Sequence, residues 1–356
     1  MNWRLVAIPA SIVPFIILFL TTNVTPQDLF KVGLVPFIAS AAAALARMFL
    51  QAVRFKYFIK RFIGYNVSST SKTITARFAG EFVTQTTPSY VGGEFVRIAW
   101  LTKNGVAPGK AAWVATMEII ADVFVGSMLA FIAGGIALYK GGAIIGIIVI
   151  VMTIPTFVIW LVLVLLSAKR ILQVPSFVKR IIGRFMTKEK SENFINSANS
   201  AIADLCKMSR ENFNSKQAIR TFSIGMAITF GAFIFQGLSL MVLANGVNST
   251  IGFFDSLMAV SASTAVANIP VTIGGSGLAE FGVWAYLSHL SGIPDLSNIV
   301  KDSQLSVIIA WRIATYHVPL VISWIALMKL SIGKPPKKTG IPQPARENSN
   351  RDTETG

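Results

Sequence analysis

Long apolar runs constrain this chain more than any other feature of its sequence. The stretch "AIIGIIVIVMTIPTFVIWLVLVLLSA" at 143–168 contains no charged residue, and about 20 apolar residues suffice for a helix to cross the hydrocarbon core of a bilayer. Backbone groups in lipid must be hydrogen-bonded within the protein, which favours helices. The sequence therefore predicts an all-α polytopic membrane protein with about six spanning helices, at about 5–20, 34–53, 111–138, 143–168, 218–244 and 304–328.

Basic residues fall mostly on one side of this predicted topology. The formal net charge is +16, yet with an inner N-terminus the outer segments carry only Lys31, Lys140 and Lys301. The inner segments hold nearly all the others, among them Arg54, Arg77 and Arg97. This positive-inside pattern predicts a multi-pass protein of the cell membrane with both termini in the cytoplasm. Contact with anionic inner-leaflet lipids explains the basic excess, so nucleic acid is not an expected partner.

Two further apolar regions, at about 70–102 and 253–290, are too broken to be simple spanning helices. Each contains the pattern P-x-x-x-G-G, as "PSYVGG" at 88–93 and "PVTIGG" at 270–275. Irregular backbone at membrane depth is tolerated only where protein or a water-filled cavity covers it. Because three spans separate the two regions, the sequence predicts two re-entrant hairpins that enter from opposite faces, in an inverted repeat of the kind found in transporters.

The alternative interpretation of these regions is a pair of kinked spanning helices, which would give eight crossings. That topology would place the basic segment 169–216 outside, against the charge asymmetry. The segment 169–216 has mixed charge and helical periodicity, and we expect a cytoplasmic amphipathic helix pair that lies on the membrane. Residues 1–332 would form one transmembrane domain, followed by a disordered cytoplasmic tail at 333–356 that is rich in proline, lysine and asparagine.

Ionisable residues inside predicted spans are candidate functional groups, because their burial is costly. Glu118 and Asp122 lie one helical turn apart and so share a helix face, while Arg312 and Tyr316 are similarly spaced in the last span. They could line a substrate pathway, or Glu118 or Asp122 could form a structural pair with Arg312 that joins two spans. Arg47 is predicted to snorkel to the inner interface.

The hairpin tips are a second candidate feature. A helix that begins at a glycine turn presents free backbone N–H groups and the positive end of its dipole, which favours an anion such as phosphate. Glu94 and Glu280 would occupy part of that positive potential. Helix capping is the alternative role for the polar groups here. The tip residues are Pro88, Gly92, Gly93 and Glu94 in the first hairpin, and Pro270, Gly274, Gly275, Ser276 and Gly277 in the second.

Enzyme signatures are sparse in the sequence. "GGSG" at 274–277 is not a G-x-S-x-G nucleophile elbow, because Leu278 follows where the last glycine would stand. The sequence has one cysteine, Cys206, and two isolated histidines. We therefore expect no catalytic residue, no metal and no cofactor.

The order and spacing of these residues resemble the lysylphosphatidylglycerol synthase transmembrane-region family of flippase-like membrane proteins. "PSYVGGEFVRIAWLTKNGVAPGKAAWVATMEIIADV" and "IPVTIGGSGLAEFGVWAYLSHLSGI…AWRIATYHVPLV" are similar to its two signature regions. The resemblance implies movement of lipids between leaflets. Its motif positions correspond here to Pro88, Gly92, Gly93, Arg97, Glu118, Asp122, Pro270, Gly274, Gly275, Gly277, Glu280 and Arg312. A cytosolic aminoacyl-transferase or glycosyltransferase domain, which some relatives carry, is absent from the sequence, so lipid synthesis is disfavoured.

Three functions remain open at this stage. The first is translocation, flippase-like or scramblase-like, of an anionic lipid or a polyprenyl-phosphate-linked lipid made elsewhere by a separately encoded enzyme. Arg97 and Arg312 would then contact the headgroup phosphate, and the acidic residues, Tyr316 and the hairpin tips would line the path. The second is a membrane-embedded enzyme that acts on a lipid-linked substrate. The third is secondary transport of a small solute.

Overall fold

Five long apolar helices form the membrane part of the fold. The computed structural model describes residues 32–87, 90, 92–169, 176–185, 188–213, 215–246, 251–269, 272–290 and 303–332. Within these, the helices long and apolar enough to cross a membrane are Leu34–Ile63, Pro108–Tyr139, Ala143–Ser167, Lys216–Gly246 and Leu305–Leu330. They match five of the six predicted spans, and the sixth, at 5–20, lies outside the described residues. The predicted all-α polytopic membrane fold is confirmed.

The described residues contain twelve α-helices and two π-helical turns. The π turns are Ile59–Ile63 and Ile313–His317, each continuous with a spanning helix. The α-helices are α1 Leu34–Phe58, α2 Thr70–Gln85, α3 Gly93–Lys103, α4 Pro108–Tyr139, α5 Ala143–Lys169, α6 Ser176–Phe185, α7 Lys188–Phe213, α8 Lys216–Gly246, α9 Phe253–Ala267, α10 Leu278–Leu290, α11 Ser303–Arg312 and α12 Val318–Ile332.

The spanning helices differ in how much of their surface other helices cover. Helix α4 packs against α5, α8 and α9, and many of its side chains are buried. Helix α5 instead leaves large apolar side chains exposed along its length, including Ile144, Val151, Ile159 and Leu166. An all-round apolar helix of this kind is stable only when lipid or protein covers it. Helix α4 therefore lies in the centre of the bundle and α5 at its periphery.

Both broken regions form helical hairpins. In the first, α2 packs on α3, and a Cβ atom added to Gly80 would lie 2.9 Å from the carbonyl oxygen of Gly93. In a continuous helix the same two residues would be about 20 Å apart at 1.5 Å per residue. In the second, α9 packs on α10, and a Cβ atom on Gly282 would lie 2.7 Å from Cα of Ser263. The chain therefore reverses direction at both tips, and small residues permit the close packing.

The segment predicted as an amphipathic helix pair contains α6 and α7. Helix α7 packs against α4 and α5. Asp204 of α7 lies against Gly109 in the first turn of α4, where no side chain larger than hydrogen would fit without a shift. The described part of this segment is helical, and the cytoplasmic position of the pair on the membrane surface stays a prediction.

Candidate functional site

The tip of the first hairpin is built around Gly92. This residue has φ of 123° and precedes the first turn of α3, a backbone conformation that glycine adopts without steric cost. Its N–H donates to Oε2 of Glu94 at 2.8 Å. Tyr90 has φ of 55° although it is not glycine, and such residues are enriched at functional sites. The carboxylate of Glu94 therefore occupies the N-terminus of α3, as predicted.

The second tip has the same construction. Gly274, Gly275 and Gly277 all have positive φ, and the Gly277 N–H donates to Oε2 of Glu280 at 2.8 Å. A Cβ atom on Gly274 would collide with the Tyr316 hydroxyl and with a carbonyl oxygen of the first hairpin. Each hairpin thus places one glutamate carboxylate on the N–H group of a glycine that precedes its second helix.

The two tips contact each other inside the protein. The Tyr90 hydroxyl donates to the Gly274 carbonyl oxygen at 2.7 Å. The hydroxyl of Tyr316, in the π turn after α11, donates to the Gln85 carbonyl oxygen at 2.8 Å. Buried carbonyl groups without a hydrogen bond are costly. Tyr90 satisfies the Gly274 carbonyl in the second tip and joins the two hairpins, and Tyr316 satisfies the Gln85 carbonyl at the end of α2 and joins the last span to the first hairpin. Pro88 and Pro270, which were predicted to break the helices, lie outside the described residues.

Arg312 belongs to the second tip. Its Nε lies 3.0 Å from Oε1 of Glu280, and both side chains are buried. Its Nη2 donates to the Gly274 carbonyl oxygen, and its guanidinium carbon stands 4.1 Å from the centre of the Tyr316 ring. The acid partner of Arg312 is thus Glu280, whereas the sequence had suggested Glu118 or Asp122.

Glu118 and Asp122 lie in a separate charge cluster on α4. Arg54 binds both, with its Nη2 2.9 Å from Oδ2 of Asp122 and 3.3 Å from Oε1 of Glu118. Arg77 and Arg97 approach Glu118 from the first hairpin, at 3.5 Å and 3.1 Å. The two acids share one helix face, as predicted, and Glu118 is surrounded by three guanidinium groups.

Four arginines have ion-pair partners that the sequence did not predict. Arg54, Arg77 and Arg97 were counted as inner-face charges, but all three are buried in ion pairs. Arg47 was expected to snorkel, but it pairs with Glu81 at 3.4 Å, and Arg77 pairs with the same carboxylate at 2.7 Å. The physical reason is that buried acids on α2 and α4 offer partners that a one-dimensional count does not consider. Glu81 was also missed, although Arg77 and Glu81 have the i, i+4 spacing of a helical ion pair.

A cavity of about 700 Å³ lies between the hairpins and the spanning helices. One part of it is lined by polar side chains of α9 (Ser263, Thr264), of Asn268 directly after α9, and of α5 (Thr153, Thr156). Its charged lining consists of Arg47, Arg77, Arg97 and Arg312 together with Glu81, Glu94 and Asp122. Asp122 keeps 39% of its side chain exposed within this space. The cavity therefore combines four guanidinium groups, three carboxylates and several hydroxyls beside both hairpin tips.

The predicted site residues divide into three positions. The cavity brings together Arg97, Asp122, Arg312 and Tyr316, with Glu94 of the first tip. Glu118 and Glu280 lie behind this surface and hold arginines. The glycines and Ser276 form the tips themselves. Among the described residues no group of three histidine, cysteine or acidic side chains is arranged to hold a metal ion.

This architecture defines a helical membrane protein with a polar, arginine-rich cavity. The model of the lysylphosphatidylglycerol synthase transmembrane region matches residues 6–323, and the chain belongs to that family. It is also 25% identical to a UPF0104 membrane protein from Archaeoglobus fulgidus over 283 residues, which cover 78% of this chain and 81% of the relative. Both similarities are to membrane proteins, and the family description connects the fold with a membrane lipid.

Proposed function

We propose that the protein translocates a phosphate-bearing anionic lipid between leaflets, as a flippase or scramblase. The observation that carries this proposal is the cavity beside the two hairpin tips, which is lined by four arginines. Guanidinium groups bind phosphate oxygens in a bidentate manner and are the preferred cations for such recognition. The headgroup would enter this cavity while the lipid chains stay in the hydrocarbon region.

Arg97 and Arg312 are the proposed headgroup ligands, and they differ in how firmly they are held. Arg312 already binds Glu280 and the Gly274 carbonyl oxygen. Arg97 lies 3.1 Å from Glu118 and 3.5 Å from Glu94, and it lines the cavity. Because its contact with Glu94 is long and Glu94 itself lines the cavity, Arg97 is the better candidate for direct contact with phosphate. Arg312 would then mainly hold the second tip against the first.

In this proposal both hairpins are re-entrant and approach each other from opposite faces of the membrane. The tips meet through Tyr90 and Gly274, and the paired contacts of Glu94 with Gly92 and Glu280 with Gly277 are what an inverted repeat would produce. With an inner N-terminus, the segment 169–216 and the tail 333–356 would be cytoplasmic. The lipid would be supplied by a separately encoded lipid-modifying enzyme.

Reconstitution into liposomes that contain fluorescent phosphatidylglycerol, followed by a membrane-impermeant quencher, tests the proposal. The protein should increase the quenched fraction above that of protein-free liposomes, and Arg97→Gln should lower the exchange rate at least about tenfold, the cost of one charge-assisted hydrogen bond. Lys103→Gln is the matched control, since it removes a positive charge from an exposed position on the same helix, and it should retain exchange.

Two results would refute translocation as the function. The first is an exchange rate equal to that of protein-free liposomes, and the second is unchanged exchange in Arg97→Gln. Chemical turnover of the headgroup in the same vesicles would instead support the membrane-embedded enzyme. In that alternative Asp122, which lines the cavity, would be the reacting acid, because both oxygens of Glu118 face arginines.

A further inference from the structure

The two tip glutamates occupy matching positions but are held unequally. Each carboxylate accepts a hydrogen bond at 2.8 Å from the glycine N–H that precedes its helix. Glu280 also lies 3.0 Å from Arg312, and 8% of its side chain is exposed. Glu94 is 3.5 Å from Arg97, 18% of its side chain is exposed, and it lines the cavity. Glu280 is therefore fixed within the protein, whereas Glu94 is loosely held at the cavity surface.

The carboxylate of Glu94 stands where an external anion would bind most favourably. It lies at the N-terminus of an eleven-residue helix, where the helix dipole and free N–H groups attract negative charge. Arg97, one turn further along, is 96% buried and lines the same cavity, with its Nη2 3.5 Å from Glu94 and its Nε 3.1 Å from Glu118. A glycine N–H, a helix terminus and a buried guanidinium together form a cradle for a tetrahedral oxyanion.

We propose that Glu94 is an internal competing anion, which occupies the phosphate-binding position and is displaced when a phosphate-bearing ligand binds. This inference rests on the proposed function and specifies how its site is filled in the absence of substrate. Without a ligand, Glu94 accepts the hydrogen bond from the Gly92 N–H and gives Arg97 a second carboxylate beside that of Glu118. Binding then exchanges one anion for another, so the side chain at position 94 sets the affinity of the site.

Displacement of Glu94 is feasible because few contacts oppose it. Its carboxylate has one backbone hydrogen bond and one ion pair whose closest atoms are 3.5 Å apart. An incoming phosphate would restore both contacts and add further oxygens for Arg97. Glu280 does not meet this condition, since moving it would leave the buried Arg312 without its carboxylate.

Glu94→Gln tests the inference directly. The amide oxygen can still accept from the Gly92 N–H, so the cap is retained while the competing charge is lost. We expect the purified full-length variant in detergent to bind inorganic phosphate and dihexanoylphosphatidic acid at least about tenfold more tightly than the wild type by calorimetric titration, which corresponds to about 1.4 kcal/mol. Glu94→Ala, which also frees the N–H group, should shift affinity in the same direction. A gain for both ligands indicates a phosphate site, and a gain for the lipid alone indicates a site that also needs the chains.

Two control variants separate a local effect from a general change in charge. Asp255→Asn removes one negative charge at the exposed pair with Lys140 and should leave both affinities unchanged. Adding Arg97→Gln to Glu94→Gln should abolish the gain. The inference is overturned if Glu94→Gln binds no more tightly than the wild type, or if Asp255→Asn gains equally.

The inference and the proposed function fail in different ways. Tighter phosphate binding by Glu94→Gln, combined with no lipid exchange by the wild type, would support the internal anion and refute translocation. Lipid exchange by the wild type, combined with unchanged affinity of Glu94→Gln, would support translocation and refute the internal anion.

Discussion

Replacing Arg312 by glutamine should strongly destabilise the protein, because the change leaves the Glu280 carboxylate buried without its cation. The two side chains are 7% and 8% exposed and their closest atoms are 3.0 Å apart. Removing one partner of a buried ion pair typically costs about 3–5 kcal/mol. Loss of the hydrogen bond to Gly274 adds about 0.5–1.5 kcal/mol, and loss of the contact with the Tyr316 ring adds about 0.5–2 kcal/mol. Since these terms overlap, about 3–5 kcal/mol is the expected total.

A second substitution identifies the carboxylate that loses its ion-pair partner in Arg312→Gln. In the double variant Arg312→Gln/Glu280→Gln no buried charge is left alone, so most of the lost free energy of unfolding should return. Arg312→Gln/Glu118→Gln should recover none of it, because Glu118 is paired with Arg54, Arg77 and Arg97 instead. Equilibrium unfolding in mixed micelles of mild detergent and dodecyl sulfate, followed by tryptophan fluorescence, measures all three variants.

The outcome also decides whether Arg312 contacts the lipid. A single variant as stable as the wild type, or equal rescue by Glu118→Gln, would refute the assigned pairing. If the Glu280 double variant regains stability but not lipid exchange, Arg312 acts on the headgroup as well as on the tip. If it regains both, Arg312 is structural and leaves the set of transport residues.

Other substitutions test the tips and the topology. Gly275→Ala should abolish lipid exchange, since its Cβ would lie 2.7 Å from the Tyr90 hydroxyl. Gly135 has open space around it, so Gly135→Ala should exchange lipid at the wild-type rate in the same vesicle assay. Tyr90→Phe removes the hydrogen bond to Gly274 and should lower the free energy of unfolding by about 0.5–1.5 kcal/mol in mixed-micelle unfolding. A cysteine at exposed Glu192, in a cysteine-free variant, should resist a membrane-impermeant thiol reagent in intact cells, and labelling there would place 169–216 outside.

The spanning helices could be predicted from sequence because their cause is local. An apolar run such as 143–168 has only one stable arrangement in a bilayer, and the structure places the corresponding span at Ala143–Ser167. The hairpins could also be predicted, because in an apolar region proline removes a helical hydrogen bond and paired glycines permit non-helical backbone at a definite position. In both cases a few neighbouring residues determine the result.

The ion pairs were not predictable in the same way, because each joins helices that are distant in sequence. The span predicted at 34–53 ended at residue 53, so Arg54 was assigned to a loop. In the structure α1 and its π turn continue to Ile63. Charge counting then treated Arg54 as evidence of orientation, although it is fully buried beside Asp122. Which acid faces which arginine depends on helix rotation and crossing, and a single sequence contains no direct signal for either.

The charge balance of the site constrains how an anion could enter it. Five arginines face five carboxylates in the described hairpin and α4 region, so an added phosphate creates excess negative charge unless a carboxylate withdraws. The carboxylates differ in how many arginines they contact and how closely. Glu118 contacts three arginines and Glu81 contacts two. Asp122 accepts two hydrogen bonds from Arg54, Glu280 is 3.0 Å from Arg312, and Glu94 is 3.5 Å from Arg97. Withdrawal costs least where fewest contacts break. Glu94 should therefore move first, and Arg97 should be the first arginine that the phosphate meets.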